Sequence, residues 1–597
     1  MSWSFPGPLN LADTGLMTRL REDLLAAGYT VDGVSELIGP AAMEQLWLEQ
    51  LAPGRLDLDD ARARLDPADP AQALVTMAAW WLFAVPQTAS RLEAAFPRTG
   101  LQGLRDLGLA DSRTRVGSTE SSSGPDLAAG EERASAVVGG READAEGAPE
   151  RPAMDLRPYE SDDIGAVWVA SDLGSHQRRG ALGHEHVLGI GQASRTLAQA
   201  VIRTPARRAL DLGVGCGVQT LHMLSHCDKV TATDISERAL NVTAFNLLLN
   251  AETLSLTGPD GAPRVRLLAG SLLEPVAGEQ FDLVVSNPPF VITPRSGDAE
   301  GVYTYRDGGL PGDQIVETLV RQLPGVLAPG GLAQMLGNWE IRAGEPWDAR
   351  PRAWVAGDPA GTDAAGTREP GTEALGAAAP AADAWFIQRE ETDTLRYALT
   401  WLTDAFQDWD DDALAAALAR YRDDFAARGT DRVGFGLILL RRPAEAESGW
   451  WQGSVFEEIT HPIEQPVGPH LAAALERKRA IAAAGASSSE WRLSPAEDVT
   501  EERHQRPGAE HPGVILLRQG AGLRRTALLS SEMAGLVSAA DGELTLGQLA
   551  QALGAILEDA EMPERLVEEA LHLVDHGLLL PEGEQTASDT APAVSAR

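Results

Sequence analysis

Two short stretches of this 597-residue chain combine residue types that chemistry on a small ligand would need. Glycine permits tight turns and lets a ligand approach the backbone, while consecutive prolines fix the path of the chain. The first stretch reads DLGVGCG and contains Asp211, Gly213, Gly215 and Gly217. The second reads SNPPF and contains Asn287, Pro288, Pro289 and Phe290. Together they predict a ligand-binding loop and a rigid polar corner.

The glycine-rich loop predicts a cofactor that contains adenosine. It follows an apolar run and leads into a predicted helix, and the next run ends at Asp234 and Ile235. An acid at that position can accept hydrogen bonds from both ribose hydroxyls. The spacing is G-x-G-x-G rather than G-x-G-x-x-G, and Asp211 would repel a pyrophosphate. These features favour S-adenosylmethionine, whose sulfonium and amino groups are cationic, over a dinucleotide or a purely structural glycine turn.

The polar corner predicts a binding site for a planar nitrogen. The side-chain carbonyl of Asn287 and the backbone carbonyl of Pro288 can accept both N–H bonds of one amino or amide group. The nitrogen lone pair would then face the methyl-bearing sulfonium. Phe290 offers a ring face against which a flat substrate group could pack. The alternative is a proline turn that only closes a strand.

The residues around these stretches predict the scaffold that positions them. Apolar runs alternate with amphipathic segments, which is typical of a parallel sheet with helices on both faces. We therefore expect an α/β domain with a Rossmann-like, doubly wound sheet of seven strands, of which the last pair is antiparallel. The predicted strands read RRALDLGV, KVTATDI, RVRLLAG, FDLVVSN, GLAQMLGNW, DAWFIQRE and RVGFGLILLRR.

Segments rich in Gly, Ser, Ala, Pro and acid divide the chain, because such composition buries too little apolar area to offset the entropy of ordering. The flanking modules are predicted to be mainly helical and winged-helix-like. The predicted units are an N-terminal module at 10–112, a disordered linker at 113–152, a catalytic domain at 153–445 with a disordered insertion at 356–383, a connector at 446–511 and a C-terminal module at 512–583.

Composition limits the classes of function. The chain has 50 basic and 87 acidic residues and a net charge of −37, which argues against nucleic-acid binding by bulk electrostatics. The two cysteines exclude a disulfide framework and a cysteine-based zinc site. No signal peptide and no apolar run long enough to span a membrane is evident, so a cytoplasmic protein is expected.

The set DLGVGCG, TATD and SNPPF resembles the class I S-adenosylmethionine-dependent N-methyltransferases with an NPP[YF] motif. That group includes the glutamine-N5 methyltransferases of release factors, the guanine-N2 methyltransferases of ribosomal RNA and the adenine-N6 methyltransferases. The resemblance covers about residues 200–340. It implies that the loop glycines, Asp211 and Asp234 line the cofactor, and that Ser271 or Leu272 lies by its adenine. It also implies that Asn287, Pro288 and Phe290 hold the substrate nitrogen. Many relatives have Asp where this chain has Ser271.

The substrate stays open between a macromolecule and a small molecule. The segment 307–313 and Glu274-Pro275 resemble the glutamine-N5 enzymes, which favours a protein glutamine. Phe290 and Asn338 resemble the ribosomal RNA enzymes, which favours an exocyclic amine of RNA or DNA. A binding protein with a retained methyltransferase fold is the rival from another class.

Histidines offer further candidates. His184 and His186 precede the first strand of the predicted sheet, where relatives close the cofactor pocket. His222 and His226 share a helical face but lack further ligands nearby in sequence, so no metal site is expected there.

Overall fold

The computed structural model describes residues 3–48, 50–66, 68–111, 149–178, 182–294, 309–356, 382–405, 410–444 and 454–583. Most of the predicted linker at 113–152 and of the predicted insertion at 356–383 lies outside these ranges. Within them, no helix has both the length and the apolar character that crossing a membrane would require.

The N-terminal part is a bundle of short helices around an aromatic core. Its helices are α1 (Thr14–Ala26), α2 (Val31–Ile38), α3 (Pro40–Trp47), α4 (Leu51–Arg64), α5 (Ala71–Trp81), α6 (Ala89–Ala95) and α7 (Gly100–Asp106). Trp80 and Trp81 on α5 are fully buried, and Phe96 packs edge-on against Trp81. The leucine spacing of α1 and the apolar run of α5 predicted these helices; a winged-helix-like arrangement stays a prediction.

The central part alternates strands and helices, as the sequence pattern predicts. Its elements are β1 (Asp155–Ser161), β2 (Gly165–Ser171), α8 (Gln192–Ala200), β3 (Ala206–Leu212), α9 (Val218–Met223), β4 (Cys227–Asp234), α10 (Glu237–Leu249), α11 (Ala251–Leu254), β5 (Val265–Ala269), a 3₁₀ helix (Glu274–Val276), β6 (Phe281–Ser286), α12 (Gln314–Val326), β7 (Leu327–Arg342), α13 (Ala349–Ala356), β8 (Asp383–Asp393), α14 (Thr394–Ala405), α15 (Asp411–Arg428), β9 (Thr430–Arg441) and β10 (Val455–Glu458).

Eight of these strands form one sheet, in the order β10-β8-β9-β7-β6-β3-β4-β5. Strands β5, β4, β3, β6 and β7 are parallel, and β9 runs antiparallel between β7 and β8. The seven predicted strands are β3 to β9, so the doubly wound α/β fold is confirmed. The sheet gains an eighth strand, β10, which pairs parallel to β8. The hairpin β1–β2 was also not predicted.

The C-terminal part packs against the edge strand β10. Its elements are α16 (Gly468–Ala484), a 3₁₀ helix (Gly485–Glu490), β11 (Leu493–Pro495), β12 (Val499–His504), β13 (Val514–Gln519), β14 (Thr526–Leu529), α17 (Ser531–Ala539), α18 (Leu546–Ile556), α19 (Met562–Asp575) and β15 (Leu579–Pro581). Strand β15 pairs with β11 after the three helices. The winged-helix-like arrangement of this module also stays a prediction.

The structure differs from the sequence-based expectation in the predicted connector. Residues 468–504 form a helix, a 3₁₀ helix and two strands rather than a linker. The composition of this region predicted disorder because it has few apolar residues. Strand β12 is nevertheless ordered, because its backbone pairs with β13 and this pairing needs few apolar side chains. A few anchors complete the packing: Leu471 and Leu493 are almost fully buried.

Candidate functional site

The sequence-predicted site residues come together at one edge of the sheet. Strands β6, β3, β4 and β5 are parallel neighbours, so their carboxyl ends lie side by side. In open α/β sheets this edge is where ligands bind. Each predicted segment directly follows one of these strands. The segments are the glycine loop after β3, Asp234 and Ile235 at the end of β4, Ser271 and Leu272 after β5, and Asn287 to Phe290 after β6.

The glycine loop leaves room for a ligand against its backbone. Gly213 and Gly215 have φ of +78° and +56°. Apart from the adjoining residues, no described atom lies within 4 Å of where a Cβ would be at either position. Gly217, with φ of +91°, is different, because a Cβ there would lie 3.1 Å from the Cγ2 of Thr243. The first two glycines therefore face open space, whereas the third allows close packing against α10.

Asp234 connects the glycine loop to the end of β4. Its Oδ2 accepts a hydrogen bond from the Gly215 N–H at 3.0 Å, and its Oδ1 accepts one from the Ser236 N–H at 2.9 Å. Burial raises the pKa of Asp234 above its usual value, against the lowering effect of these backbone donors. The carboxylate is thus fixed in direction, and each oxygen keeps lone pairs for a ligand.

Asp211 lies deeper, at the end of β3, and is almost fully buried. The hydroxyl of Thr220 donates a hydrogen bond of 2.6 Å to its Oδ2. Burial raises the pKa of Asp211 to about 7, and the charge of Asp234 adds to this rise, while bonds from Thr220 oppose it. A cation placed near this carboxyl would reverse much of that shift.

The residues after β5 are positioned through β4. The Gly270 N–H donates to the backbone oxygen of Asp234 at 3.0 Å, which sets Ser271 and Leu272 beside the acid. Both side chains are half-buried, and Leu272 has an unusual positive φ of +46°. Ile235 is 61% exposed and therefore lies at the rim of the site.

The corner after β6 holds an unpaired polar atom. The Ser286 hydroxyl donates to the backbone oxygen of Leu212 at 2.8 Å, which ties this corner to the start of the glycine loop. The Phe290 N–H donates to the Pro288 oxygen at 2.8 Å and closes the turn. The side-chain oxygen of Asn287 is buried and accepts no hydrogen bond from any described residue. An unsatisfied buried acceptor costs about 1–3 kcal/mol, so a ligand donor at this position would be stabilised.

Aromatic residues from distant parts of the chain close one side of this corner. The Phe290 ring meets Phe435 on β9 edge-on at 6.4 Å, and Phe435 stacks on Tyr397 of α14 at 5.7 Å. The Tyr397 hydroxyl accepts hydrogen bonds from the Ile292 N–H at 2.8 Å and from the Asn338 amide at 3.0 Å. Tyr397 therefore fixes the chain just beyond the polar corner.

We expect Tyr397→Phe to lower turnover about tenfold, because the buried Ile292 N–H would lose its acceptor at a cost of about 1–3 kcal/mol. Affinity for the cofactor should not change, since the cofactor loop is on another strand. Tyr421→Phe, in the same aromatic cluster, is the matched control. Steady-state kinetics should show the loss in kcat; equal kcat in the two variants would contradict the role given to this hydroxyl.

Polar residues on α10 were missed by the sequence analysis although they position the loop. The hydroxyl of Thr243 donates to the Gly215 oxygen at 2.9 Å, and the amide of Asn246 donates to the Cys216 oxygen at 2.8 Å. Asn246 also exchanges two hydrogen bonds with Ala170 on β2. Asparagine is disfavoured in helix interiors. The repeated asparagines of SERALNVTAFNLLLN could therefore have indicated that these side chains have another role. They join the loop to the β1–β2 hairpin.

The segment before α8 is fastened to the amino end of α10. Arg238 forms a two-pronged pair with Asp172, whose Oδ2 also accepts the Val187 N–H at 2.9 Å. His186 is buried beside this pair, and burial lowers its pKa to about 4, against the raising effect of Asp172. His184 is exposed. A role of either histidine in lining a cofactor pocket stays a prediction.

Of the other histidine pair, His222 is held by contacts within the protein. His222 Nε2 lies 2.8 Å from the Tyr159 hydroxyl, and its Nδ1 lies 2.9 Å from an Asp163 oxygen. Both ring nitrogens of His222 are therefore engaged within the protein, which leaves neither for a metal ion.

Of the segment 307–313, residues 307 and 308 lie outside the described ranges. Asp313 is buried, and its Oδ2 accepts the Glu340 N–H at 2.9 Å.

Residues 180–300, which contain the four strand-end segments of this site, match the family model described as the methyltransferase small domain. Within the central domain, residues 180–300 therefore form a methyltransferase small domain. Its sheet has the class I methyltransferase fold, with an antiparallel strand between the last two strands of a parallel series. A second family model, a domain of unknown function named DUF7059, matches residues 26–119 in the N-terminal module.

Curated relatives match between about a fifth and a third of the chain. The chain is 30% identical over 191 residues to the ribosomal protein uL3 glutamine methyltransferase of Bradyrhizobium diazoefficiens, an overlap of 30% of this chain and 54% of that protein. It is 35% identical over 143 residues to the release factor glutamine methyltransferase of Bordetella pertussis, covering 23% and 49%. It is 27% identical over 193 residues to ribosomal RNA small subunit methyltransferase C of Alcanivorax borkumensis, covering 31% and 50%. The chain spans about half the length of these relatives.

The solved structures include a similar protein, the 16S rRNA N2 G1207 methyltransferase of Thermus thermophilus in complex with AdoMet and guanosine. The alignment covers 32% of this chain and 48% of the other chain. The identity is 17% and the TM-score 0.21.

Proposed function

We propose that the protein is an S-adenosylmethionine-dependent N-methyltransferase that acts on a planar nitrogen of a macromolecule, with the side-chain amide of a protein glutamine as the first candidate. The buried, unpartnered oxygen of Asn287 carries this proposal. It lies at a carboxyl strand end, next to a loop that leaves open space along its backbone. The names of the uL3 and release factor relatives support glutamine as the acceptor.

The described residues fit the cofactor. The glycine loop offers backbone that can be approached closely, Asp234 offers oriented acceptors for ribose hydroxyls, and Asp211 offers negative charge. S-adenosylmethionine, when bound, supplies an electrophilic methyl group. The protein holds the acceptor nitrogen through the carbonyls of Asn287 and Pro288 and packs its planar group against Phe290. This orientation can contribute roughly 7–11 kcal/mol by proximity alone. The nitrogen becomes cationic as it gains the methyl group and then loses a proton to solvent, so a strong general base is not needed.

We expect cofactor affinity to rise with pH. The raised pKa of Asp211, about 7, means that this carboxyl is largely protonated at pH 6 in the free protein. Binding a cation next to it favours the carboxylate and lowers the pKa, so binding releases a proton. The Kd should be about tenfold lower at pH 8 than at pH 6. Calorimetry in two buffers of different ionisation enthalpy measures both the affinity and the released proton.

The Asp211→Asn variant provides the control for this pH dependence. It removes the titrating group, so its Kd should be weaker and the same at both pH values. A wild-type pH dependence in this variant would show that another group titrates, and would remove Asp211 from the proposed cofactor site.

Methyl transfer to purified acceptors tests the proposed function. The protein is incubated with methyl-tritiated S-adenosylmethionine and, separately, with a release factor, ribosomal protein uL3 and deproteinised small-subunit ribosomal RNA. All are taken from cells that lack the gene. Label in a glutamine-containing peptide supports the proposal, and Asn287→Ala should slow its transfer by about 100-fold or more. Label in RNA would replace glutamine by a base as the acceptor. Cofactor binding without label in any fraction would favour a small-molecule substrate or a binding role.

A nucleobase amine is the second candidate because a second buried acceptor lies near the corner. The Oδ1 of Asn338 is fully buried and accepts no hydrogen bond from the described part of the chain, while its amide bonds Tyr397. Guanine presents a ring N–H beside its exocyclic amine, one donor more than a glutamine amide, and could use both asparagine oxygens. The relative that methylates small-subunit ribosomal RNA is in keeping with this alternative.

A further inference from the structure

We propose that the C-terminal module carries a binding site for a divalent transition metal, with Zn²⁺ as the best-matched ion and His572, Asp575 and His576 as its ligands. One ligand atom from each of these side chains lies within 4.8 Å of the other two. The three residues are in and just after the last turn of α19, in the C-terminal module rather than in the residues 180–300 that hold the proposed cofactor and acceptor segments. The inference does not depend on the proposed function.

The helix itself produces the ligand set. Residues at positions i, i+3 and i+4 lie on one helical face, so the sequence His-x-x-Asp-His places three donors together. The centroids of the His572 and His576 rings are 4.2 Å apart. Two imidazoles and a carboxylate are a donor set that suits Zn²⁺, with water as a fourth ligand. The carboxyl end of a helix also favours a cation through the helix dipole.

An ion can reach this face from solvent. His572 is exposed, whereas Asp575 and His576 are half-buried. All three line a wide groove between α16, β14 and α19. The exposed histidine provides the first contact, and the groove leaves space for water to complete the coordination sphere.

Basic side chains next to the cluster compete with a metal ion for the nearby carboxylates. The ammonium of Lys478 donates to both oxygens of Asp575, at 2.7 and 2.6 Å, and also lies 5.6 Å from the ring centroid of Trp385. Glu457 is 3.8 Å from the His576 Nε2 and pairs with Arg525 at 2.9 Å. The Asp575 carboxylate therefore already holds a cation. A metal ion that displaces the Lys478 ammonium from Asp575 also binds the imidazoles of His572 and His576. Lys478 keeps its contact with the Trp385 ring.

Titration of the chelator-treated full-length protein with Zn²⁺ and Co²⁺ tests the site. We expect one ion per chain by calorimetry and a higher Tm with Zn²⁺. His572→Gln and His576→Gln should each weaken binding at least about tenfold, the lower end of what disturbing a metal's surroundings costs. Lys478→Gln should tighten binding because it frees the carboxylate. His504→Gln on β12, whose side chain is exposed, is the matched control and should bind like the wild type.

Three results would overturn the proposal. The first is the absence of stoichiometric binding. The second is binding that is unchanged in both histidine variants. The third is a Co²⁺ spectrum with strong thiolate bands, which would place the ion at a cysteine. Because His572 is exposed, His572→Gln should fold, and an unchanged Tm in the presence of chelator verifies this.

Discussion

Replacing Asn287 with alanine is expected to leave S-adenosylmethionine binding intact and to lower turnover by about 100- to 1000-fold, as the loss of other positioned polar contacts does. The side-chain oxygen is buried and accepts no hydrogen bond from the described residues, so the fold loses no internal bond with it. In the proposed site it accepts one of the two N–H bonds of the acceptor group. Without it the nitrogen is free to rotate, and its lone pair is no longer aligned with the methyl group.

The measurement separates orientation from binding. Calorimetry gives the Kd for S-adenosylmethionine, and tritium transfer to the acceptor gives kcat. Asn10→Ala, which removes an exposed asparagine of the N-terminal module, should match the wild type in both. Turnover of Asn287→Ala close to wild type would refute the role of the polar corner, whereas a lost cofactor affinity would show that Asn287 supports the cofactor instead.

The sequence predicted the sheet because its signals are local. Each of β3 to β9 is an apolar run bounded by glycine, proline or acid, and the order of a doubly wound sheet follows from the alternation with helices. The grouping of Gly215, Asp234 and Asn287 follows too, since carboxyl ends of parallel strands meet at one edge. The hydrogen bond from the Gly215 N–H to Asp234 joins two of these neighbouring strand ends.

What the sequence did not predict depends on contacts between distant segments. Tyr397 lies 105 residues beyond Ile292, whose N–H it accepts, and nothing near either residue signals the pair. Strand β10 consists of four residues, too short to show an alternating pattern, and is ordered by pairing with β8. The asparagines of α10 read locally as poor helix formers. Their role appears only when the hairpin strand β2 and the glycine loop are packed on either side.

Replacing Asp234 with alanine is expected to raise the Kd for S-adenosylmethionine about 100-fold, because two hydrogen bonds from ribose hydroxyls to a carboxylate contribute about 3 kcal/mol together. Part of the effect comes through the loop, since the Gly215 and Ser236 N–H groups lose their acceptor. Asp234→Asn separates the two contributions. It keeps a side-chain oxygen for the Gly215 N–H but removes the charge, so its Kd should lie between those of the wild type and the alanine variant.

Asp228 provides the matched control, because it is an exposed acid at the opposite end of the same strand. Asp228→Ala should bind S-adenosylmethionine like the wild type, which excludes a general effect of net charge or of a change in β4. Calorimetry on the three variants measures the series. If Asp234→Ala binds as tightly as Asp228→Ala, the strand-end acid does not contact the ribose. The adenosine must then be held elsewhere along this edge, with Ser271 and Leu272 the next residues to replace.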